Sequence, residues 1–125
     1  MFLLYSTDDG RQQPWEYLPC SAIQPEYGMA LKMDGGQLVK ATAADKPEYI
    51  SMRQERAAVA EGTIIPVGKV LPDQVWQTTG ASDMVIGTGY DVNEDAMSVK
   101  KTSAGAASFV VSVVGDDGVV LGRFK

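Results

Sequence analysis

The chain contains no histidine and a single cysteine among its 125 residues. The first absence removes the commonest general base near neutral pH, the commonest metal ligand and the usual partner of a serine or cysteine nucleophile. Most hydrolase mechanisms are excluded with it. The second absence rules out an internal disulfide, so the chain is compatible with a reducing cytosol. Cys20 reads as a buried or half-buried small apolar residue rather than a reactive thiol. Cations are scarce as well: eleven Lys and Arg stand against sixteen Asp and Glu, a formal charge of −5. No window holds the basic cluster that displaces counterions from phosphates, so nucleic acid is not an expected partner. Lys100–Lys101 is the only basic pair and reads as a solvated strand end. Long apolar runs are also missing. The opening Phe2–Tyr5 is followed at once by Ser6–Gly10, which suits a first strand or a docking arm rather than a signal peptide or a membrane span.

What is present is a succession of short β patterns. At this length one domain is expected, burying about two-thirds of the surface its unfolded chain exposes. Met29, Leu31 and Met33 alternate with Ala30, Lys32 and Asp34, the period of a strand with one face buried and one wet. Strands are expected over Gly28–Met33, Gln37–Ala41, Lys46–Met52 and Glu61–Val67, then Gln74–Thr78, Met84–Ile86, Gly89–Val92, Met97–Lys100, Phe109–Val114 and Val119–Phe124. Asp116–Gly118 is the tight turn between the last two, because glycine takes the positive φ such turns need. Pro66 points to an edge or a bulge rather than a central strand. Arg53–Ala60 holds the best helix formers but is too short to stand alone, and reads as an exposed loop or single turn. Trp76 is expected in the core. Residues 1–27 differ from the rest: Pro14, Pro19 and Pro25 punctuate Trp15, Tyr17 and Tyr27, a composition that suits an extended N-terminal arm. The alternative is that residues 1–18 fold back as an ordinary strand. The expected fold is all-β, a small barrel or sandwich of short antiparallel strands over residues 28–125, preceded by that proline-containing arm.

Chemistry-bearing motifs fail on inspection. Asp91, Asn93 and Asp95 have the oxygen spacing that opens a calcium loop, but Ala96 stands where glycine is needed and Thr102 where a bidentate glutamate belongs. Gly87–Gly89 begins a dinucleotide fingerprint that Val92 breaks. A carboxylate pair could still cleave a glycosidic bond without histidine, with Asp8, Asp9, Glu16, Glu48, Glu55, Asp116 and Asp117 as candidates. Asp8–Asp9 and Asp116–Asp117 read more simply as turn residues. No catalytic residue, metal ligand or cofactor is assigned.

The stretch from Gly28 to Val67 runs glycine, short apolar strand, glycine turn, Leu38–Thr42, then Pro47–Ile50, a loop, and Glu61–Val67. This phrase, with Phe2–Gly10 and Pro14–Pro19 ahead of it, resembles the head decoration proteins of tailed phages and prophages. The similarity covers roughly the first three-fifths of the chain and the remainder more loosely. It implies a structural virion protein that is not an enzyme, made in the bacterial host cytoplasm and placed on the outer capsid surface, where it bridges major capsid subunits and stabilises the shell. Within that reading Leu4, Tyr5, Trp15 and Tyr17 are the candidate interface residues, since aromatic side chains dominate interface energetics. Decorators of this kind bind as homotrimers or as monomers. A trimer would cover exposed valine and isoleucine on edge strands. The rival readings are a small carbohydrate-binding or other adhesion module, in which Trp15, Tyr17, Trp76 and Tyr90 form a stacking platform, and a carboxylate hydrolase using Asp8, Asp9 and Glu16.

Overall fold

A computed structural model describes residues 1–125 and contains eleven strands and no helix. In chain order they are Leu3–Thr7 (β1), Trp15–Pro19 (β2), Ala30–Asp34 (β3), Gln37–Lys40 (β4), Tyr49–Ser51 (β5), Ile64–Lys69 (β6), Gln74–Thr79 (β7), Gly89–Val92 (β8), Val99–Lys100 (β9), Phe109–Val114 (β10) and Val119–Phe124 (β11). They form two antiparallel sheets, one ordered β1-β7-β11-β10-β8-β9 and the other β2-β6-β5-β3-β4. The sheets share one hydrophobic core, so the architecture is a sandwich and not a closed barrel.

Strands β7 and β11 of the six-stranded sheet keep a clean alternation. Trp76 and Thr78 of β7 point inward with Val120, Gly122 and Phe124 of β11 and Phe109 and Val111 of β10. Phe124 is the hub: its ring centroid lies 5.2 Å from Phe109, 5.3 Å from Phe2 and 6.3 Å from Trp76. These tilted and edge-on geometries are the ones aromatic quadrupoles favour. Gly122 makes the cluster feasible, because a Cβ there would stand 2.7 Å from the Phe109 ring and 2.4 Å from the Val110 carbonyl oxygen.

The five-stranded sheet is covered on both faces at its middle. Consecutive residues Ala30 and Leu31, Ile50 and Ser51, and Val67 and Gly68 are all buried, which a sheet with one wet face does not allow. The sheet curls until the chain beyond β2 reaches β4: Cys20 forms a parallel bridge with Leu38, and the Ser21 N–H donates to the Leu38 carbonyl at 2.9 Å. Leu38 and Cys20 are therefore fully buried although both lie at sheet margins. The β3–β4 hairpin closes through Gly35 and Gly36, both at positive φ (58° and 84°), the two-residue turn whose twist matches that of the strands.

Several expectations change. The N-terminal segment is not an extended arm; as in the alternative given above, it folds back, with β1 an edge strand of one sheet and β2 an edge strand of the other. The reason is Phe2, whose ring completes the aromatic cluster and whose N–H donates to the Gly28 carbonyl at 2.8 Å. Met84–Ile86 is a turn rather than a strand; Met84 is buried while Val85 and Ile86 face solvent. Pro66 lies in a strand with neighbours on both sides, tolerated because β5 has already ended and Pro66 only accepts there, from the Met52 N–H at 3.0 Å. The alternation at Met29–Asp34 is imperfect, since Ala30 is buried on the second covered face. Arg53–Ala60 is a loop, as expected, held by backbone bonds from the Glu55 N–H to the Pro25 carbonyl and from the Val59 N–H to the Ile23 carbonyl.

Asp91, read above only as a failed calcium ligand, is a buried structural carboxylate. It accepts from the Thr102 hydroxyl (2.9 Å) and from the N–H groups of Gly105 (2.9 Å) and Ala107 (2.8 Å), and so fixes the loop after β9. That loop in turn reaches the other sheet, where the Ala106 N–H donates to the Ala43 carbonyl at 2.7 Å. Burial alone would raise the Asp91 carboxyl, but these donors and the nearby Lys100 charge hold it below its ordinary value.

Two outcomes follow for stability. Phe2→Ala is expected to lower unfolding free energy by about 3–5 kcal/mol in denaturant titrations; a loss under about 1 kcal/mol would restore the free-arm picture. Because the folded carboxyl of Asp91 titrates below its unfolded value, its stabilisation is complete at neutral pH and is lost as pH falls through the depressed value. Asp91→Asn should therefore cost about 1–3 kcal/mol at neutral pH and flatten the acid limb of a melting-temperature profile. An unchanged acid limb in Asp91→Asn contradicts this role.

Candidate interaction surface

Strand β2 is the outer strand of its sheet and pairs only with β6. Paired residues of an antiparallel ladder share a face, so the register fixes which side chains lie together. Glu16 and Leu18 oppose Val67 and Ile65 on the covered face. Trp15, Tyr17 and Pro19 oppose Gly68, Pro66 and Ile64 on the other. On that side Tyr17 is 68% exposed, and Trp15 and Ile64 are each 52% exposed. The result is an apolar strip of two aromatic rings, an isoleucine and two prolines, laid along a sheet margin. Natural edges are usually blunted by charge or proline; here Pro19 limits backbone pairing while the side chains remain adhesive.

The other two interface candidates sit elsewhere. Tyr5 is exposed on β1, in the opposite sheet, at a bulge where the register with β7 shifts between Leu4 and Ser6. Leu4 is half-buried and packs against the core. The structure thus brings Trp15 and Tyr17 together and joins neither to Leu4 through any strand pairing. Ile64 and Pro66 were missed as members of the strip, because only the β2–β6 pairing, across about fifty residues of chain, reveals them.

The aromatic platform of four rings is not assembled, since Trp76 and Tyr90 are both buried. Tyr90 spends its hydroxyl on the Val85 N–H at 2.9 Å, holding the exposed Val85–Ile86 turn. Trp76 carries the one buried side-chain polar atom without a hydrogen-bond partner, its indole Nε1. An orphan of this kind costs about 1–3 kcal/mol.

Acidic side chains are spread among local tasks. Asp8 forms a two-pronged pair with Arg123 (2.7 and 3.2 Å), whose guanidinium holds the Asp8 carboxyl below its usual range. Asp9 pairs with Arg11, Asp83 with Lys101 and Glu94 with Lys100. Asp45 accepts from Lys32 at 2.8 Å and from the N–H and hydroxyl of Thr42. Burial would raise its carboxyl, yet these donors keep it lowered. Asp117 accepts from the Val119 N–H inside the last hairpin. No three acidic or cysteine side chains converge in a way that could hold a metal ion. Burial pushes the Cys20 thiol up, away from the thiolate a nucleophile needs.

Comparison of the chain with protein-family models, with curated proteins and with solved structures gives no match in any of the three.

A strip that serves binding rather than folding should be replaceable without loss of stability. Trp15→Ser and Tyr17→Ser are each expected to shift unfolding free energy by no more than about 0.5 kcal/mol. A loss of several kcal/mol from either would place these rings in the core instead.

Proposed function

We propose that this protein is a phage head decoration protein, which binds the outer surface of the major capsid shell and stabilises it without catalysis. The observation that carries the reading is the exposed strip of Trp15, Tyr17 and Ile64 on a rigid sheet margin. Aromatic residues presented on a preorganised strand lose little freedom on binding and supply the central, water-excluding contacts of an interface. The motif phrase at Gly28–Val67 and the openings at Phe2–Gly10 and Pro14–Pro19, which resemble those of head decoration proteins, support the same reading. A negative net charge suits a protein working beside packed DNA without adhering to it.

Physically, a shell under internal pressure fails where subunits meet. A decorator touching two neighbours adds contact area at that seam, and its second contact forms at high effective concentration. A stable contact needs roughly 800 Å² a side, so the strip serves as its centre and the polar loops around it as the rim. Tyr5, on the other sheet, would then reach a different subunit from the one gripped by Trp15 and Tyr17. Both a monomer and a homotrimer satisfy this scheme.

Purified expanded heads, assembled from the capsid protein of the same genome, provide the test. Co-sedimentation should show saturable binding, and decorated heads should stay intact to a higher temperature than bare ones. Trp15→Ser with Tyr17→Ser should weaken binding by roughly tenfold or more, the scale of lost central aromatic contacts. Heads that neither capture the protein nor gain heat resistance contradict the proposal.

A further inference from the structure

The outer face of the six-stranded sheet is apolar where an antiparallel sandwich is ordinarily polar. Strand register threads one row of side chains across four strands on that face: Leu3 opposes Gln77, Gln77 opposes Leu121, and Leu121 opposes Val113. In the row beside it Val110 opposes Arg123. Arg123 is the only charged residue that β1, β7, β11 and β10 turn outward, and its guanidinium is already taken by Asp8 and the Pro72 carbonyl. At β8 the chain covers this face itself, since a Cβ on Gly89 would stand 2.2 Å from the Ala107 carbonyl oxygen. At both ends of the long row the face is uncovered: Leu3 and Val113 are exposed. Gln77, half-buried near the middle of the row, makes no side-chain hydrogen bond within the chain.

We infer that this face packs against the same face of a second copy of the chain, about a two-fold axis running along the row from Leu3 to Val113. Such an axis sets each residue of the row opposite its own counterpart. Leu3, Leu121 and Val113 then meet apolar groups, and the two Gln77 amides face each other, each able to donate and to accept. Charge points to the same occupant. The chain carries −5, and a face whose one cation is neutralised is where two copies approach without opposing their acids. Four strands at about 4.8 Å spacing and about 20 Å long present a plane of roughly 400 Å², which the exposed Val85–Ile86 turn extends beside β10. Against the roughly 800 Å² a side of a standard interface, that size marks a reversible dimer rather than an obligate one. The contact uses the sheet opposite the β2 strip, so it stands apart from the decoration reading and leaves the strip of both copies exposed.

Sedimentation of the full-length chain tests the contact. Its mass should rise with concentration, over the micromolar range, from 13.4 kDa to twice that value. Gln77→Glu and Gln77→Lys should each raise the dissociation constant by roughly tenfold or more, because like charges then meet on the axis. An equimolar mixture of the two should associate again, as unlike charges face each other. Val113→Lys, at a more open position, should weaken the dimer in the same way and repeats the test if the Gln77 variants lose their native circular dichroism. A native chain that stays at 13.4 kDa up to roughly 1 mM, or that assembles as a trimer, overturns the inference, and neither result depends on a variant folding. A dimer that Val113→Lys leaves intact, or folded Gln77 variants that do not associate on mixing, overturns it as well. Failure of the chain to bind capsids has no bearing on these masses.

Discussion

Four aromatic rings drawn from both ends of the chain meet around Phe124, and the arrangement of everything else depends on that meeting. Phe2 arrives from the first residues, Trp76 from the middle, Phe109 and Phe124 from the last hairpin. Burying large rings supplies the dominant favourable term in a small domain. Here it also sets topology, because β1 has to lie beside β7 for Phe2 to reach the cluster. Once β1 is fixed in one sheet, the short connection through Pro14 delivers β2 to the other, where the Pro14 carbonyl accepts from the Lys69 N–H at 3.0 Å. A segment with the composition of a tether thus becomes two margins of a sandwich.

The exposed aromatic strip is a by-product of this arrangement. With Glu16 and Leu18 turned toward the covered face, strand periodicity leaves Trp15 and Tyr17 no place but outside. The curl that joins Cys20 to Leu38 stiffens the same sheet by linking its two margins. Rings on a stiff margin bind with less entropic cost than rings on a tether. Acidic residues, meanwhile, are consumed in fixing loops: Asp91 holds the segment from Thr102 to Ala107, Asp45 the turn after Ala41, and Asp8 the contact with Arg123. The molecule spends its ionisable groups on shape.

Much of this shape was legible in the residues. Period-two runs, the Gly35–Gly36 turn and the Asp116–Gly118 turn all act within a few neighbours, so their consequences can be read locally. The same holds for the burial of Trp76 and Cys20, which follows from residue type. What escaped reading was non-local. Phe2–Tyr5 is too short to reveal that its first ring enters a core built from residues a hundred positions away. Met84–Ile86 has strand-like composition, but Gly87 at positive φ turns the chain there. Asp91 finds its donors eleven to sixteen residues downstream, beyond the reach of a spacing motif. Trp15 and Tyr17 could be placed on one face by alternation, yet which face, and the company of Ile64, depended on pairing with β6.

The account stands on the claim that the outer face of β2 and β6 is where this protein meets its partner. Hydrogen exchange measured on the free protein and on protein bound to expanded heads tests it most directly. Added protection concentrated in Trp15–Pro19 and at Ile64, with the aromatic core unchanged, is the expected result. Bound protein whose β2 amides exchange as fast as before, with protection arising on a different surface, would contradict it.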